Sequence, residues 1–283
     1  MRILITGAGG MLGCDVAAEA RGRGHEVLAL THSELDITAT TAVDALLGAE
    51  RPEAVVNCAA WTDVDGAESH EDAAMALNGN GAAALAKVAS AQGAQLLHLS
   101  TDYVFDGNAS SPYRESDATA PRSAYGRTKL AGERAVLAGD PGHAVVRTAW
   151  LFGVGGKNFV ATMLAAAASG REEVAVVTDQ VGCPTFTGHL AAALIDVAER
   201  RIGGIQHIAG AGQCSWYEFA LQIFSQADVR CKVRPVLSGE FPRPAPRPAW
   251  SVLESERPEV PRLAPWQDGL AAYLAEVRTG LAR

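Results

Sequence analysis

The sequence predicts an α/β fold in which a doubly wound parallel sheet is joined to a smaller C-terminal substrate-binding lobe. Short, almost wholly apolar segments alternate with Ala-rich amphipathic segments up to about Trp150. Apolar strands between amphipathic helices are typical of a parallel sheet covered on both faces. A glycine-rich turn follows the first strand, and the alternation becomes irregular after Trp150. We therefore predict a sheet domain over residues 1–150 and a partly interwoven lobe over residues 151–283.

Strands and helices follow one another in a regular order in the first part. The predicted strands are RILITG, HEVLALT, EAVVNCAA, QLLHLS and HAVVRTAW. The predicted helices between them are MLGCDVAAEARGRG, TTAVDALLGAE, EDAAMALNGNGAAALAKVASAQG and SAYGRTKLAGERAVLAG. Gly79 and Gly81 are expected to interrupt the third helix, since glycine is a poor helix former. Right-handed crossovers between the strands then give a doubly wound sheet.

The second part contains fewer and shorter elements. Its predicted helices are NFVATMLAAAAS, GHLAAALIDVAERR and SWYEFALQIFSQA, and its predicted strands are EVAVV and GIQHIAG. Four prolines between Phe241 and Pro248 exclude a helix in FPRPAPRPAWSVLES. This stretch is either a linker or a loop that grips a substrate.

Composition excludes several classes of protein. The net charge of -8 argues against a broad nucleic-acid surface. The N-terminal apolar run is too short for a membrane span and lacks the flanks of a signal peptide. The histidines lack metal-site spacing, so we expect no metal. Scattered cysteines without CxxC spacing predict free thiols in the cytoplasm. The sequence is equally consistent with a monomer and with a homodimer. The cysteines are Cys14, Cys58, Cys183, Cys214 and Cys231.

The segment TGAGGMLG has the GxxGxxG spacing of a Rossmann-type dinucleotide site. Gly7 allows the tight turn, Gly10 lets backbone amides approach a pyrophosphate, and Gly13 permits close helix packing. The following helix directs its positive end toward the phosphates. We assign Gly7, Gly10, Met11, Leu12 and Gly13 to cofactor binding.

The end of the second strand bears on the choice of dinucleotide. An acidic residue there would favour NAD, but the sequence has Thr31, His32 and Ser33. These residues tolerate a 2′-phosphate, so we predict NADPH, with NADH possible. Asp36 and Ile37 are expected to flank the adenine; alternatively Asp36 caps the next helix.

Candidate catalytic residues follow the fourth strand. Ser100 and Thr101 end that strand, and the spacing i, i+4 puts Tyr125 and Lys129 on one face of the next helix. An ammonium group near a phenol would lower the phenol pKa from about 10. Such a tyrosine can transfer a proton to a carbonyl oxygen that Thr101 orients. The alternative is an ordinary pair of residues on an amphipathic helix.

The ordered motifs resemble the extended short-chain dehydrogenase/reductase family. NCAAWTDVDGAE, LSTDYVFDG, SAYGRTKLAGE, RTAWLFG, DQVGCPT and RPAWSVLES are similar to segments of the branch that acts on dTDP-linked 4-keto-6-deoxyhexoses. The resemblance implies reduction of the 4-keto group by NAD(P)H, as in the conversion of dTDP-4-dehydrorhamnose to dTDP-L-rhamnose. It implies that Tyr125 donates the proton, that Tyr125 and Lys129 also contact the cofactor, and that Lys129 holds the nicotinamide ribose.

The resemblance also implies further site residues. Ala59, Ala60, Thr62 and Asn78 would lie along the cofactor cleft. The implied contacts with the dTDP-sugar are Thr101, Asp102, Tyr103, Trp150, Asp179, Gln180 and Arg247. Without the resemblance, Trp150 fits core packing equally well, Asp179 and Gln180 fit a surface turn, and Arg247 fits a solvated charge.

Three other functions share these motifs. They are a reductase of another dTDP-4-keto deoxysugar in an antibiotic pathway, a nucleotide-sugar epimerase and a non-catalytic NADP-binding regulatory subunit. Dehydratases of the family tend to carry two acids after the strand-end threonine, whereas Thr101 precedes Asp102 and Tyr103 here. Retention of Thr101, Tyr125 and Lys129 favours an enzyme.

Overall fold

The computed structural model describes residues 1–280 and begins with regular alternation of strands and helices. A short 3₁₀ turn over Asp102–Val104 separates β4 from the segment that leads to α6. The elements are β1 (Arg2–Thr6), α1 (Met11–Gly22), β2 (Glu26–Leu30), α2 (Thr40–Glu50), β3 (Ala54–Asn57), α3 (Val64–Ser69), α4 (Glu71–Met75), α5 (Ala82–Gln92), β4 (Gln95–Thr101), α6 (Ala124–Gly139) and β5 (Ala144–Thr148).

The remaining elements alternate short strands with three longer helices and one helix near the C-terminus. A 3₁₀ turn over Ser238–Glu240 precedes the Pro-rich stretch, which is irregular as the prolines require. The elements are β6 (Leu151–Phe152), α7 (Phe159–Ala168), β7 (Glu173–Val177), β8 (Val181–Gly182), β9 (Thr185–Phe186), α8 (Thr187–Glu199), β10 (Gly204–His207), β11 (Cys214–Ser215), α9 (Trp216–Ala227), β12 (Lys232–Val236) and α10 (Trp266–Arg278).

Six parallel strands form the central sheet in the order β10-β5-β4-β3-β1-β2. Side chains of β1 alternate between its faces: Ile3 and Ile5 pack with α1 and α8, whereas Leu4 packs with α2 and α5. Each face is therefore buried under helices, which confirms the doubly wound α/β prediction.

Two elements that follow residue 150 belong to the central sheet and to one of its helical faces. β10 pairs with β5, and α8 packs in the same core cluster as α1. The rest of the second part has its own aromatic core, which includes Phe152, Phe219 and Trp266. A domain boundary at residue 150 stays a prediction, since the chain crosses back into the sheet after it.

The glycines expected to interrupt the third helix lie in a change of helix type. Residues Ala76–Gly81 form a π-helical segment between α4 and α5. A Cβ atom on Gly81 would lie 2.9 Å from Ile37 Cγ1, so the glycine allows close packing there.

In residues 1–280, no helix combines the length and the apolar character that crossing a bilayer demands.

Candidate active site

The loops after β1 and β3 meet where the strand order reverses. α1 follows β1 onto one face of the sheet, and α5 follows β3 onto the other. Nucleotides bind at this position in doubly wound sheets. Gly7 has φ +68°, and a Cβ atom there would lie 2.6 Å from the Ala59 backbone nitrogen. Glycine is therefore required for the two loops to come so close.

The N-terminus of α1 fits a pyrophosphate. Its N-cap is Gly10, no side chain caps the helix, and no acidic residue lies in the first turn. A Cβ atom on Gly10 would approach no atom closer than the Gly7 carbonyl oxygen, at 3.4 Å. The first backbone N–H groups and the positive helix end are thus open to an anion. Met11 lines the adjoining cavity, and Leu12 packs in the core.

Replacement of Gly13 by Ala is expected to weaken NADPH binding at least tenfold. The added methyl group would overlap the Gly7 carbonyl oxygen and lie 2.8 Å from Ala8 Cα, which pushes α1 away from the loop. NADPH fluorescence titration measures the change. Gly22→Ala, at the other end of α1, is the control because its methyl group meets no atom within 4 Å. Equal NADPH affinity in the two variants would contradict the assigned packing.

An acid that the sequence analysis overlooked lies at the end of β2. Both the backbone N–H and the hydroxyl of Thr31 donate to the Glu34 carboxylate, at 2.8 and 2.7 Å. These bonds lower the pKa of Glu34. His32 and Ser33 are exposed beside it, and the Ser33 hydroxyl lies 3.0 Å from that of Thr31. Glu34 directly follows the Thr31–Ser33 triplet, and only the turn of the chain brings its carboxylate back to Thr31.

The two residues expected near the adenine differ in environment. Asp36 accepts bonds from the backbone N–H and hydroxyl of Thr38, at 2.9 and 2.8 Å, and does not cap α2, whose N-cap is Ala39. Ile37 is buried in the core against Gly81. Their contact with an adenine stays a prediction.

Asn78 acts from within the π-helical segment. Its Oδ1 accepts the backbone N–H of Trp61 at 2.8 Å, and its Nδ2 donates to the Thr128 hydroxyl at 3.1 Å. The side chain therefore ties the loop after β3 to α6. Ala59 and Ala60 are half-buried in this loop, and Thr62 lines the cavity.

A cavity of about 770 Å³ lies between the sheet edge and the second lobe. Thr101 ends β4, and Tyr125 is the second residue of α6; both line this cavity together with Asp102 and Tyr103. The structure thus brings the predicted threonine and tyrosine together. Lys129, one turn further along α6, is buried behind them, 2% exposed.

The phenol of Tyr125 is less acidic than the sequence predicted. Burial and the Asp102 carboxylate raise its pKa to about 12, opposed by an interaction with the Thr101 side chain. Burial lowers the pKa of Lys129 to about 8, although Glu133 favours the ammonium form. The expectation of an acidified phenol is therefore wrong for this state, because both groups lie in a desolvated site. Tyr125 therefore carries its phenolic proton near pH 7, which is the form that a proton donor needs.

Two buried oxygen atoms in the cavity wall lack protein partners. Thr101 donates to Asp102 Oδ1 at 2.8 Å, but Asp102 Oδ2 and Thr148 Oγ1 have no hydrogen-bond partner within residues 1–280. Burial raises the pKa of Asp102 to about 6. Unpaired buried polar atoms are costly, so they indicate a polar ligand.

Trp150 is held in one orientation at the cavity wall. Its backbone φ is +48°, a strained value for a tryptophan, and its ring stacks on Trp216 with centroids 3.5 Å apart. Gly182 lies directly against the indole, where a Cβ atom would overlap it. Trp216, which the sequence analysis took only as part of a helix, also lines the cavity.

The Pro-rich stretch is fastened just before its start and again near its middle. The Asp179 carboxylate accepts bonds from the backbone N–H and hydroxyl of Ser238, at 3.0 and 2.7 Å. Arg247 donates to Asp65 at 2.8 Å, in an ion pair between segments far apart in the chain. Gln180 and Arg247 line the cavity, whereas Asp179 is absent from its walls. The predicted substrate contacts of all three stay predictions.

Ser123→Ala is expected to destabilise the protein by about 1 kcal/mol. Ser123 is the N-cap of α6, and its hydroxyl accepts the Gly126 N–H at 3.1 Å. Since Tyr125 lies in the first turn, fraying there would also lower activity. Thermal unfolding measures the effect, with the exposed Ser110→Ala as control. An unfolding temperature equal to that of the control would argue against the cap.

Comparison with known proteins agrees with this geometry. The family model of the RmlD substrate binding domain matches residues 1–279. A dTDP-4-dehydrorhamnose reductase of Mycobacterium tuberculosis is 46% identical over 97% of this chain and 92% of its own. A probable dTDP-4,6-dihydroxy-2-methyloxan-3-one 4-ketoreductase of Streptomyces antibioticus is 47% identical over 96% and 93%. The structure of a Bacillus anthracis dTDP-4-dehydrorhamnose reductase in complex with NADP has a TM-score of 0.94 at 36% identity, covering 97% and 99%.

Proposed function

The chain belongs to the RmlD substrate binding domain family, and from this membership we infer that it reduces the 4-keto group of a dTDP-4-keto-6-deoxyhexose with NADPH. dTDP-4-dehydrorhamnose is the substrate named by the first of its relatives. The observation that carries the proposal is the meeting of Thr101 and Tyr125 in one cavity beside the glycine loop.

Each residue of the site has a separate role in this reaction. NADPH, when bound, supplies the hydride to the carbonyl carbon. Tyr125 gives its phenolic proton to the carbonyl oxygen, and Thr101 orients that oxygen after its hydroxyl turns from Asp102 Oδ1 to donate to it. The open end of α1 binds the pyrophosphate of the dinucleotide. Lys129 holds the nicotinamide ribose.

The sugar nucleotide is proposed to lie between Trp150 and the Pro-rich stretch. Asp102 Oδ2 and Thr148 Oγ1 would take up sugar hydroxyls that supply their missing partners. Arg247 suits a diphosphate because its guanidinium donates two parallel hydrogen bonds, after exchange from Asp65. The segment that contains Asp179 and Gln180 would bind the dTDP part of the substrate.

A second candidate is a reductase of a related antibiotic sugar. The name of the Streptomyces antibioticus relative, at comparable identity, favours it. Both reactions use the same groups on the chain, so the hydroxyl pattern of the sugar is the difference.

Unpaired thiols of all five cysteines fit a cytoplasmic enzyme, acting as a monomer or homodimer.

One assay tests the function and separates the two substrates. The protein is mixed with NADPH and either dTDP-4-dehydrorhamnose or another dTDP-4-keto deoxysugar, and loss of NADPH absorbance is followed. We expect oxidation that depends on the sugar, with the larger kcat/KM for dTDP-4-dehydrorhamnose. A larger value for the other sugar would establish the second candidate. Epimerisation without net loss of NADPH would refute both.

A further inference from the structure

A chain of buried polar side chains runs from the end of β1 to Lys129. The Thr6 hydroxyl donates to Asn57 Oδ1 at 2.7 Å, and Asn57 Nδ2 lies 3.0 Å from His98 Nδ1. His98 Nε2 in turn lies 3.4 Å from Lys129 Nζ. Each of the four residues is at most 2% exposed. This chain approaches Lys129 from behind the cavity and makes no part of its wall.

The direction of these hydrogen bonds is fixed at Asn57. Its Oδ1 also accepts the Ala59 backbone N–H, at 3.1 Å, and a backbone N–H can only donate. The amide oxygen therefore cannot be exchanged with the nitrogen. The amide nitrogen must face His98, and because it only donates, His98 Nδ1 must accept.

The tautomer of His98 follows from this direction. Burial, followed by the nearby charge of Lys129, holds the pKa of His98 well below its usual range, so the ring is neutral. A neutral imidazole that accepts at Nδ1 carries its proton at Nε2. The N–H group of His98 therefore faces Lys129 Nζ. An ammonium group can only donate, whereas a neutral amine can accept this bond.

We propose that His98 is a positioning residue that presents a fixed N–H donor to Lys129 and thereby makes that lysine less basic and a stronger proton donor. The kinetic consequence of this proposal rests on the proposed reductase function, whereas the tautomer of His98 does not depend on that function. His98 is not part of the cavity wall, so it touches neither the sugar nor the reacting atoms. It acts through Lys129.

The other groups that face Lys129 do not replace this effect. Burial raises the pKa of the Cys58 thiol, which follows β3, to about 12, and Tyr125 on α6 is raised similarly, so both are neutral near pH 7. Glu133, one turn further along α6, favours the ammonium form of Lys129, but its carboxylate is paired with Arg147 of β5 at 2.7 Å. His98 on β4 is thus the polar neighbour whose orientation opposes the ammonium form.

A less basic Lys129 helps to restore the phenol after each reduction. Once Tyr125 has given its proton to the sugar oxygen, the phenolate takes one from Lys129, and Lys129 regains one from solvent between turnovers. The transfer is downhill because the lysine has the lower pKa, about 8 against about 12. The protonated lysine is the donor, so activity is expected to fall as pH rises through the Lys129 pKa.

Nitrogen NMR on protein labelled at histidine tests the tautomer without any turnover. For His98 we expect an unprotonated Nδ1 and a protonated Nε2, unchanged between about pH 6 and pH 8. A proton on Nδ1, or a ring that becomes charged in this range, would overturn the proposal. Absence of reductase activity together with the expected tautomer would refute the proposed function alone.

His98→Gln tests the effect on Lys129. A glutamine amide carries both an acceptor and a donor and can present its oxygen to the ammonium, so the alkaline limb of kcat/KM is expected to move up by about one pH unit. The pH dependence of NADPH affinity gives the same shift without turnover. His143→Gln, a second buried histidine that contacts Leu96 and Ser90, is the control and keeps the wild-type limb. A limb unmoved in His98→Gln, in folded protein, would leave only a structural role.

Discussion

Tyr125→Phe is expected to lower kcat/KM for reduction of the dTDP-4-keto sugar by about 10²- to 10⁴-fold. The variant keeps the aromatic ring that contacts Tyr103, with centroids 5.6 Å apart, and removes only the phenolic hydroxyl group. The carbonyl oxygen would then have to take its proton from water, which is not held in place as the phenol is. Steady-state oxidation of NADPH measures the loss.

The matched control is Tyr217→Phe, which removes a hydroxyl from a half-buried tyrosine of α9 that is not part of the cavity wall. Its kcat/KM should equal that of the wild type. NADPH affinity should also be unchanged in Tyr125→Phe, since no bond to the pyrophosphate is altered. If Tyr125→Phe retained activity within about threefold of the control, the phenol would not be the proton donor.

Arg147→Leu is expected to destabilise the fold by about 3–5 kcal/mol. Arg147 and Glu133 are each about 2% exposed and form two parallel hydrogen bonds, at 2.9 and 2.7 Å. Without the guanidinium, the Ser100 hydroxyl is the one hydrogen-bond donor left to the Glu133 carboxylate among residues 1–280, in a desolvated site. Because Glu133 lies one turn beyond Lys129 on α6, the active-site helix would be affected first. The unfolding temperature, measured by calorimetry, reports the change.

Two controls separate burial of charge from loss of an arginine. Arg127→Leu, on α6 like Glu133, breaks an exposed ion pair with Glu71 of α4 and should cost less than about 1 kcal/mol. The double variant of Glu133→Leu with Arg147→Leu removes both charges and should recover much of the stability. Equal unfolding temperatures for Arg147→Leu and Arg127→Leu would show that the buried pair contributes no more than a surface one.

Local pattern alone located most of the fold and the centre of the site. Hydrophobic periodicity depends on neighbouring residues, so each predicted strand of the sheet is present, including GIQHIAG as β10. Gly7 and Gly13 were recognisable because a tight turn and close packing exclude any side chain. Thr101 and Tyr125 were recognisable because the carboxyl ends of parallel strands meet at one edge.

The failures arose where a property depends on residues far apart in the chain. The spacing of Tyr125 and Lys129 is readable, but the desolvation that raises one pKa and lowers the other comes from the surrounding fold. Glu34 was missed because the turn, not the sequence position, brings its carboxylate to Thr31.

The sequence by itself determined an α/β sheet, a dinucleotide loop and a tyrosine poised at the sheet edge, since each depends on short-range pattern and steric need. Only the tertiary structure decided which charges are buried and what they face. His98 lies 31 residues from Lys129, and Asp65 lies 182 residues from Arg247. Electrostatic interactions act through space and depend on burial, so the protonation of this site is a property of the fold.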